Sequence, residues 1–186
     1  MSFLWERYIR DGKVSREFAQ DAGVLPSLRS GTGVEPGSAP GMWRYYSKLD
    51  DSGRPSVHLW AEHVCLTVFG IHQQGERNRS VHQPKVGFGA ALRVLRDSSS
   101  YSTAALDAHV ERLATATQQE EIAKHLTTLV RLMRSARVTT GFDYTGLYWD
   151  LVSLQNELKA GTVRRRWGAQ YFTYTAKQDN STAKVN

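Results

Sequence analysis

Arginine is the residue type whose placement in this chain points to chemistry. Of the 24 basic residues, 17 are Arg and 7 are Lys. A guanidinium is a planar, permanently charged fork that fits phosphate oxygens, whereas an ammonium is a hydrated point charge. The densest cluster is Arg164-Arg165-Arg166. Thr162 just before it predicts an N-cap, and Gly161 a C′ residue closing the helix before. The three arginines would then fill a first helical turn, where the dipole is already positive and N–H groups point outward. Exposed cations there cost about 0.3–1 kcal/mol each unless an anion is near. With phosphate present, helix amides and guanidinium forks act together. If Val163, Trp167 and Tyr171 face the core, Arg165 points away from it and Arg164 flanks it. The competing structural role is an ion pair with Asp150 or Glu157.

Lys124, Arg131 and Arg134 form a second cluster on one side of a helix, opposite Ile122, Leu126, Leu129 and Met133. They read as a phosphate-facing ridge or as cations favoured by the helix's own C-terminal dipole. Arg137 lies nearer the apolar edge, placed to cap the helix end. Arg29, Arg54, Lys85, Arg93, Arg96 and Arg112 are weaker candidates, since each such residue is more often a solvated surface charge than a ligand contact. Arg93 and Arg96 share a helix face, which favours them slightly.

Residues suited to catalysis do not assemble. His58, His63, His72 and Cys65 crowd one stretch, yet none forms His-Glu-x-x-His or Cys-x-x-Cys. Asp50-Asp51 has no spaced acidic partner for a two-metal centre. Gly87-Phe88-Gly89 is neither a P-loop nor a dinucleotide fingerprint, and Gly-x-Ser-x-Gly is absent. Tyr148, Trp149, Trp167 and Tyr171 could stack on bases, but at helical spacing core packing is the commoner explanation. The expectation is a non-enzyme with no metal and no cofactor.

Charge is uneven along the chain. Residues 1–123 hold 14 basic and 14 acidic side chains, residues 124–186 hold 10 and 4, so the whole excess of +6 lies in the last third. A localised basic excess suits a polyanionic partner, although a high isoelectric point also simply aids solubility. Hydrophobic residues make up 40%, which predicts a folded protein, and the longest apolar run, Val64 to Ile71, is too short to span a bilayer. A single cysteine and an N-terminus without a signal-like apolar run predict a reducing, cytoplasmic setting with no membrane partner.

The elements that must position these cations read as helices. Trp5 to Ala22 suggests one amphipathic helix, and Ser30 to Gly41, with four Gly and two Pro, a loop. Arg54-Pro55-Ser56 opens a helix whose Val57, Ala61, Val64, Val68 and Ile71 form one buried stripe. Gln73 to Pro84 reads as a mobile loop and Ala90 to Arg96 as a helix. Leu106, Val110 and Leu113 mark the next helix, and Ile122 to Met133 another, ending near Arg137. Asp143 is placed as an N-cap, with Tyr144, Leu147, Tyr148, Leu151, Leu154 and Leu158 following at helical spacing. No alternating strand is evident. The expected fold is all-α, a compact bundle of short helices in two packed lobes: 1–97, then 101–176 carrying the basic face, with 177–186 a flexible tail.

Several stretches, in order, resemble the CasB family, the small subunit of the type I-E CRISPR Cascade complex. They are Leu28-Arg29 before a Gly-rich loop, Phe69-Gly70-Ile71-His72-Gln73, and Gly87 to Arg96. Leu126 to Arg137, Phe142-Asp143-Tyr144, Leu147 to Leu151 and Val163 to Trp167 follow. The resemblance implies an all-α, non-enzymatic protein present as two copies in a ribonucleoprotein. It also implies contacts with guide RNA, target DNA, the displaced strand and other Cascade subunits, without sequence preference. Carried over position by position, it makes Arg29, Arg54, Arg93, Arg112, Arg131, Arg134, Arg164 and Arg165 the expected phosphate contacts. Ser30 stands where many members carry a second basic residue. The alternatives from other classes are a helix-turn-helix regulator, which needs a base-reading helix, and an assembly subunit whose arginines meet acidic proteins.

Overall fold

The computed structural model of the protein describes residues 2–11 and 13–172. The fold is all-α. Its elements are α1 (Leu4–Tyr8), β1 (Ile9–Arg10), β2 (Lys13–Val14), α2 (Arg16–Ala19), α3 (Val24–Ser30), a 3₁₀ helix (Pro40–Tyr45), α4 (Val57–His72), α5 (Phe88–Asp97), α6 (Thr103–Thr115), α7 (Gln119–Ser135), α8 (Tyr144–Leu154) and α9 (Glu157–Phe172). The expected tail, 177–186, lies outside the described residues.

The core is organised around α4. Ser56 caps it by accepting a hydrogen bond from the Leu59 amide at 3.0 Å. From Leu59 to His72 every residue is buried, so the helix has no solvent face rather than the single expected stripe. Such all-round burial requires neighbours on every side. α3, α7 and α8 supply most of them, with α1 against one end, while α5 lies on α9. α3 approaches closely because residue 70 is glycine: a Cβ there would stand 2.7 Å from Leu28 Cβ. Among the described residues one hydrophobic cluster takes in buried side chains from Leu4 to Tyr171.

Burying α4 also buries its polar side chains, and these find local partners, the His72 Nε2 atom excepted. Glu62 accepts from the amides of Ser47 and Lys48 and from the Ser47 hydroxyl, at 2.6–2.9 Å. The histidines pair with tyrosines: His58 with Tyr148 at 2.7 Å, His63 with Tyr46 at 2.6 Å, His72 with Tyr144 at 3.0 Å. His63, Cys65 and His72 are therefore packed core groups, and His58 is exposed at the start of the helix. Burial pushes the Cys65 thiol well above its ordinary range, which makes it a poor nucleophile.

Three local expectations are corrected. Trp5 to Ala22 is not one helix: it is α1, a two-residue antiparallel hairpin and α2. Trp5 and Glu6 tie α1 to the start of α8, both hydrogen-bonding the Thr145 hydroxyl, and that tertiary anchor overrides continuous helix. Gln73 to Pro84 is organised, not loose. The Gln73 side chain donates to the carbonyls of Glu76 and Arg79 and accepts from the Val81 amide, and the Phe142 amide donates to Val81 O at 3.1 Å. Gly161 and Thr162 lie inside α9, not at a boundary. The break falls at Asn156, whose Oδ1 accepts from the Leu158 amide at 3.0 Å. Leu158, read as continuing the spacing of the helix begun at Tyr144, instead lies in α9 and is 93% exposed.

Candidate nucleic-acid interface

The shift of that boundary changes the arginine triplet. Arg164, Arg165 and Arg166 occupy mid-helix positions of α9, so the first-turn dipole argument does not apply to them. Their charges are distributed in three ways. Arg166 pairs with Asp150, whose other oxygen accepts from Trp167 Nε1 at 2.6 Å. Burial pushes the Asp150 carboxyl up, opposed by the indole and the guanidinium. Arg164 is half-buried and donates to the Ala116 carbonyl at 3.0 Å, at the C-terminal end of α6, where a cation meets the negative end of a helix dipole. Arg165 is exposed and, among the described residues, donates to Thr162 Oγ1 at 3.2 Å.

The second cluster holds its geometry. Lys124, Arg131 and Arg134 are all exposed along α7, whose opposite face carries the buried Ile122, Leu126, Leu129, Val130 and Met133. Among the described residues none of the three cations forms an ion pair; Arg134 donates to the Gln74 carbonyl at 3.3 Å. Arg137 ends the helix in the left-handed region, φ 54°, with its own amide on Arg134 O and the Val138 amide on Met133 O. That pair of bonds is a Schellman closure made without glycine.

The remaining predicted residues are scattered. Arg29 at the end of α3 donates to Gly70 O at 3.5 Å. Arg112 is exposed one turn before Ala116, and so shares the α6 end with Arg164. Ala116 is followed closely by Gln119, the start of α7, so Arg112 and Arg164 stand at one end of α7 and Arg134 at the other. Seventeen residues at about 1.5 Å each separate them by roughly 25 Å. Glu120 and Glu121 interrupt that line in the first turn of α7. Arg93 pairs with Asp97 at 3.4 Å on α5. Arg96 is held by Asp107 at 3.1 Å, with Tyr171 donating to the same carboxylate. Arg54 is exposed in the loop before α4.

One feature was not read from the sequence. A groove of about 720 Å³ runs between the loop 31–36, α4 and α7, with Lys124 and Arg131 on its edge. Its floor includes Trp60 and Val64. The Gly-rich loop was the visible signal, but nothing in one sequence placed it opposite α7. Among the described residues no three His, Cys, Asp or Glu side chains are grouped to hold a metal ion, and no helix is long and apolar enough to cross a membrane.

This arrangement of helices is shared with known proteins. Residues 24–172 match the family described as CRISPR-associated protein Cse2. The chain belongs to that family. Among solved structures the Cse2-family chain is similar to CasB from Thermobifida fusca, with 27% identity over 81% of this chain and 84% of that one, TM-score 0.65. It also resembles a Cse2-family protein from Thermus thermophilus, with 21% identity, 84% and 91% coverage and TM-score 0.63. M. ruber CasB, 16% identical over 90% of both chains, has the same fold at TM-score 0.62. No curated protein sequence is found to match.

Proposed function

We propose that this Cse2-family chain is the non-catalytic small subunit of a type I-E CRISPR Cascade ribonucleoprotein. In this reading it acts in the cytoplasm, as two copies beside other Cascade subunits, in defence against foreign nucleic acid. It holds sugar–phosphate backbone without reading bases, stabilising guide RNA–target DNA pairing and the displaced strand. The phosphate contacts are Arg131 and Arg134 first, then Arg112, Arg164 and Arg165 at the other end of α7, with Arg29, Arg54 and Arg93 as outlying positions. The observation that carries the reading is the exposed row Lys124, Arg131 and Arg134, which has no carboxylate partner among the described residues. A near-balanced strand exchange is tipped by backbone contacts of this kind, and such contacts serve every guide equally.

Fluorescence anisotropy with mixed-sequence single-stranded oligonucleotides across a salt series tests this. Each neutralised phosphate contributes about −0.7 to the slope of log K against log salt on a single strand. Arg131→Ala with Arg134→Ala should make that slope shallower by about 1.4, with unchanged helical circular dichroism. Across a fourfold rise in salt, the wild type should therefore lose about sevenfold more affinity than the double variant. A flat wild-type salt dependence, or protection of one defined duplex sequence, would overturn the reading.

A further inference from the structure

We propose that the groove beside α7 receives a base turned out from a single strand whose backbone lies along Lys124 and Arg131. This rests on the reading above and adds to it a site that contacts bases. The volume, about 720 Å³, falls within the range of about 300–1,000 Å³ seen for small-ligand pockets. Trp60 and Val64 on α4 give the groove an apolar, partly aromatic wall, and Ala123 faces it from α7. Thr127 contributes a hydroxyl, which both donates and accepts and so does not select one base over another, while the Thr67 hydroxyl already donates to Val64 O at 2.9 Å. Lys124, Thr128 and Arg131 recur at i, i+4 and i+7, which puts both cations on the same edge of the groove, about 10 Å apart along the helix. The apolar wall and the phosphate-binding edge are thus contiguous. That combination is what stacking sites for single strands use: a charged track for the backbone and a π or apolar surface for the base.

Glu35 and Glu120 also line the groove. Glu120 stands one turn before Lys124, at the N-terminal end of α7, where a carboxylate is favoured by the helix dipole. It lies about 16 Å along the helix from Arg131, so the backbone is expected at the Arg131 end. A protein segment carrying both signs of charge is the competing occupant, and the experiment separates the two.

The experiment compares a thymidine oligonucleotide with an abasic oligonucleotide of equal length, which keeps the phosphates and removes the bases. Wild-type protein should bind the thymidine strand about tenfold more tightly. Thr128→Phe, which fills the groove from its edge, should abolish that preference and leave abasic binding unchanged. Ala123→Leu serves the same purpose if Thr128→Phe does not fold. With unmodified protein, 2-aminopurine in the strand should change its fluorescence on binding. Equal wild-type affinity for both strands overturns the groove but leaves the phosphate ridge standing. So does a groove-filled variant that binds both strands normally yet fails to assemble with the other subunits, which identifies a protein occupant. Absence of binding to either strand overturns the ridge itself.

Discussion

His72 makes acid stability a sensitive test of how α4 is packed. Its ring is buried against Phe142, 5.4 Å between centroids, with Nδ1 on the Tyr144 hydroxyl and Nε2 without a partner. Burial, reinforced by nearby Arg79, lowers its pKa from the ordinary 6.5 to about 4. The folded value lies below the unfolded one, so the unfolded chain takes up the proton first as the pH falls. The contribution is whole above about pH 6.5 and is lost as the pH drops through that window toward 4. At about 1.4 kcal/mol per pH unit the full interval is worth about 3 kcal/mol, of which about 2 kcal/mol has gone by pH 5. His63 and His82 are also lowered by burial and act in the same direction. Urea unfolding at pH 7.5 and pH 5 should therefore show a large loss for the wild type. His72→Phe, which keeps an aromatic ring against Phe142, should show a loss smaller by about 2 kcal/mol. Equal losses in the two proteins would refute the assignment of the acid sensitivity to this ring.

Other substitutions test separate elements. Arg137→Gly should raise stability by about 1 kcal/mol in chemical denaturation, because a residue with Cβ holds a left-handed position there. Gly141→Ala should destabilise by about 1–3 kcal/mol, since a Cβ would meet the Val81 carbonyl, and thermal unfolding would record it. Asp150→Ala should cost about 2 kcal/mol because it strands the buried Trp167 N–H. Arg166→Ala should cost less, because Asp150 keeps its indole partner. Comparing their denaturation midpoints checks the order.

Much of the fold is written in short-range signals. The Asp143 cap is one: its Oδ1 accepts from the Gly146 amide at 2.9 Å, as an N-cap should. The apolar face of α7 and its cationic opposite face are another, since both follow from a 3.6-residue repeat alone. The errors come where tertiary contact outweighs local preference. Gly161 looks like a terminus, yet Ala160, Val163, Trp167 and Tyr171 continue one buried face through it, and their packing outweighs roughly 1 kcal/mol of glycine penalty. The signal for the true boundary was Asn156 before Glu157, a plainer cap than Thr162. For the interface, exposure of Lys124, Arg131 and Arg134 was legible because it depends on one helix. The ion pair of Arg166 and the groove depend on which helices meet, and pattern within a helix does not carry that.

The total enclosure of α4 has a consequence for synthesis. Its last residue, His72, leaves the ribosome about 80 residues before Leu154, the end of α8. At about 5–20 residues per second, that apolar rod waits roughly 4–16 s for the partners that cover it. The nascent chain is therefore most vulnerable to aggregation while its central helix is complete and its later helices are still being translated.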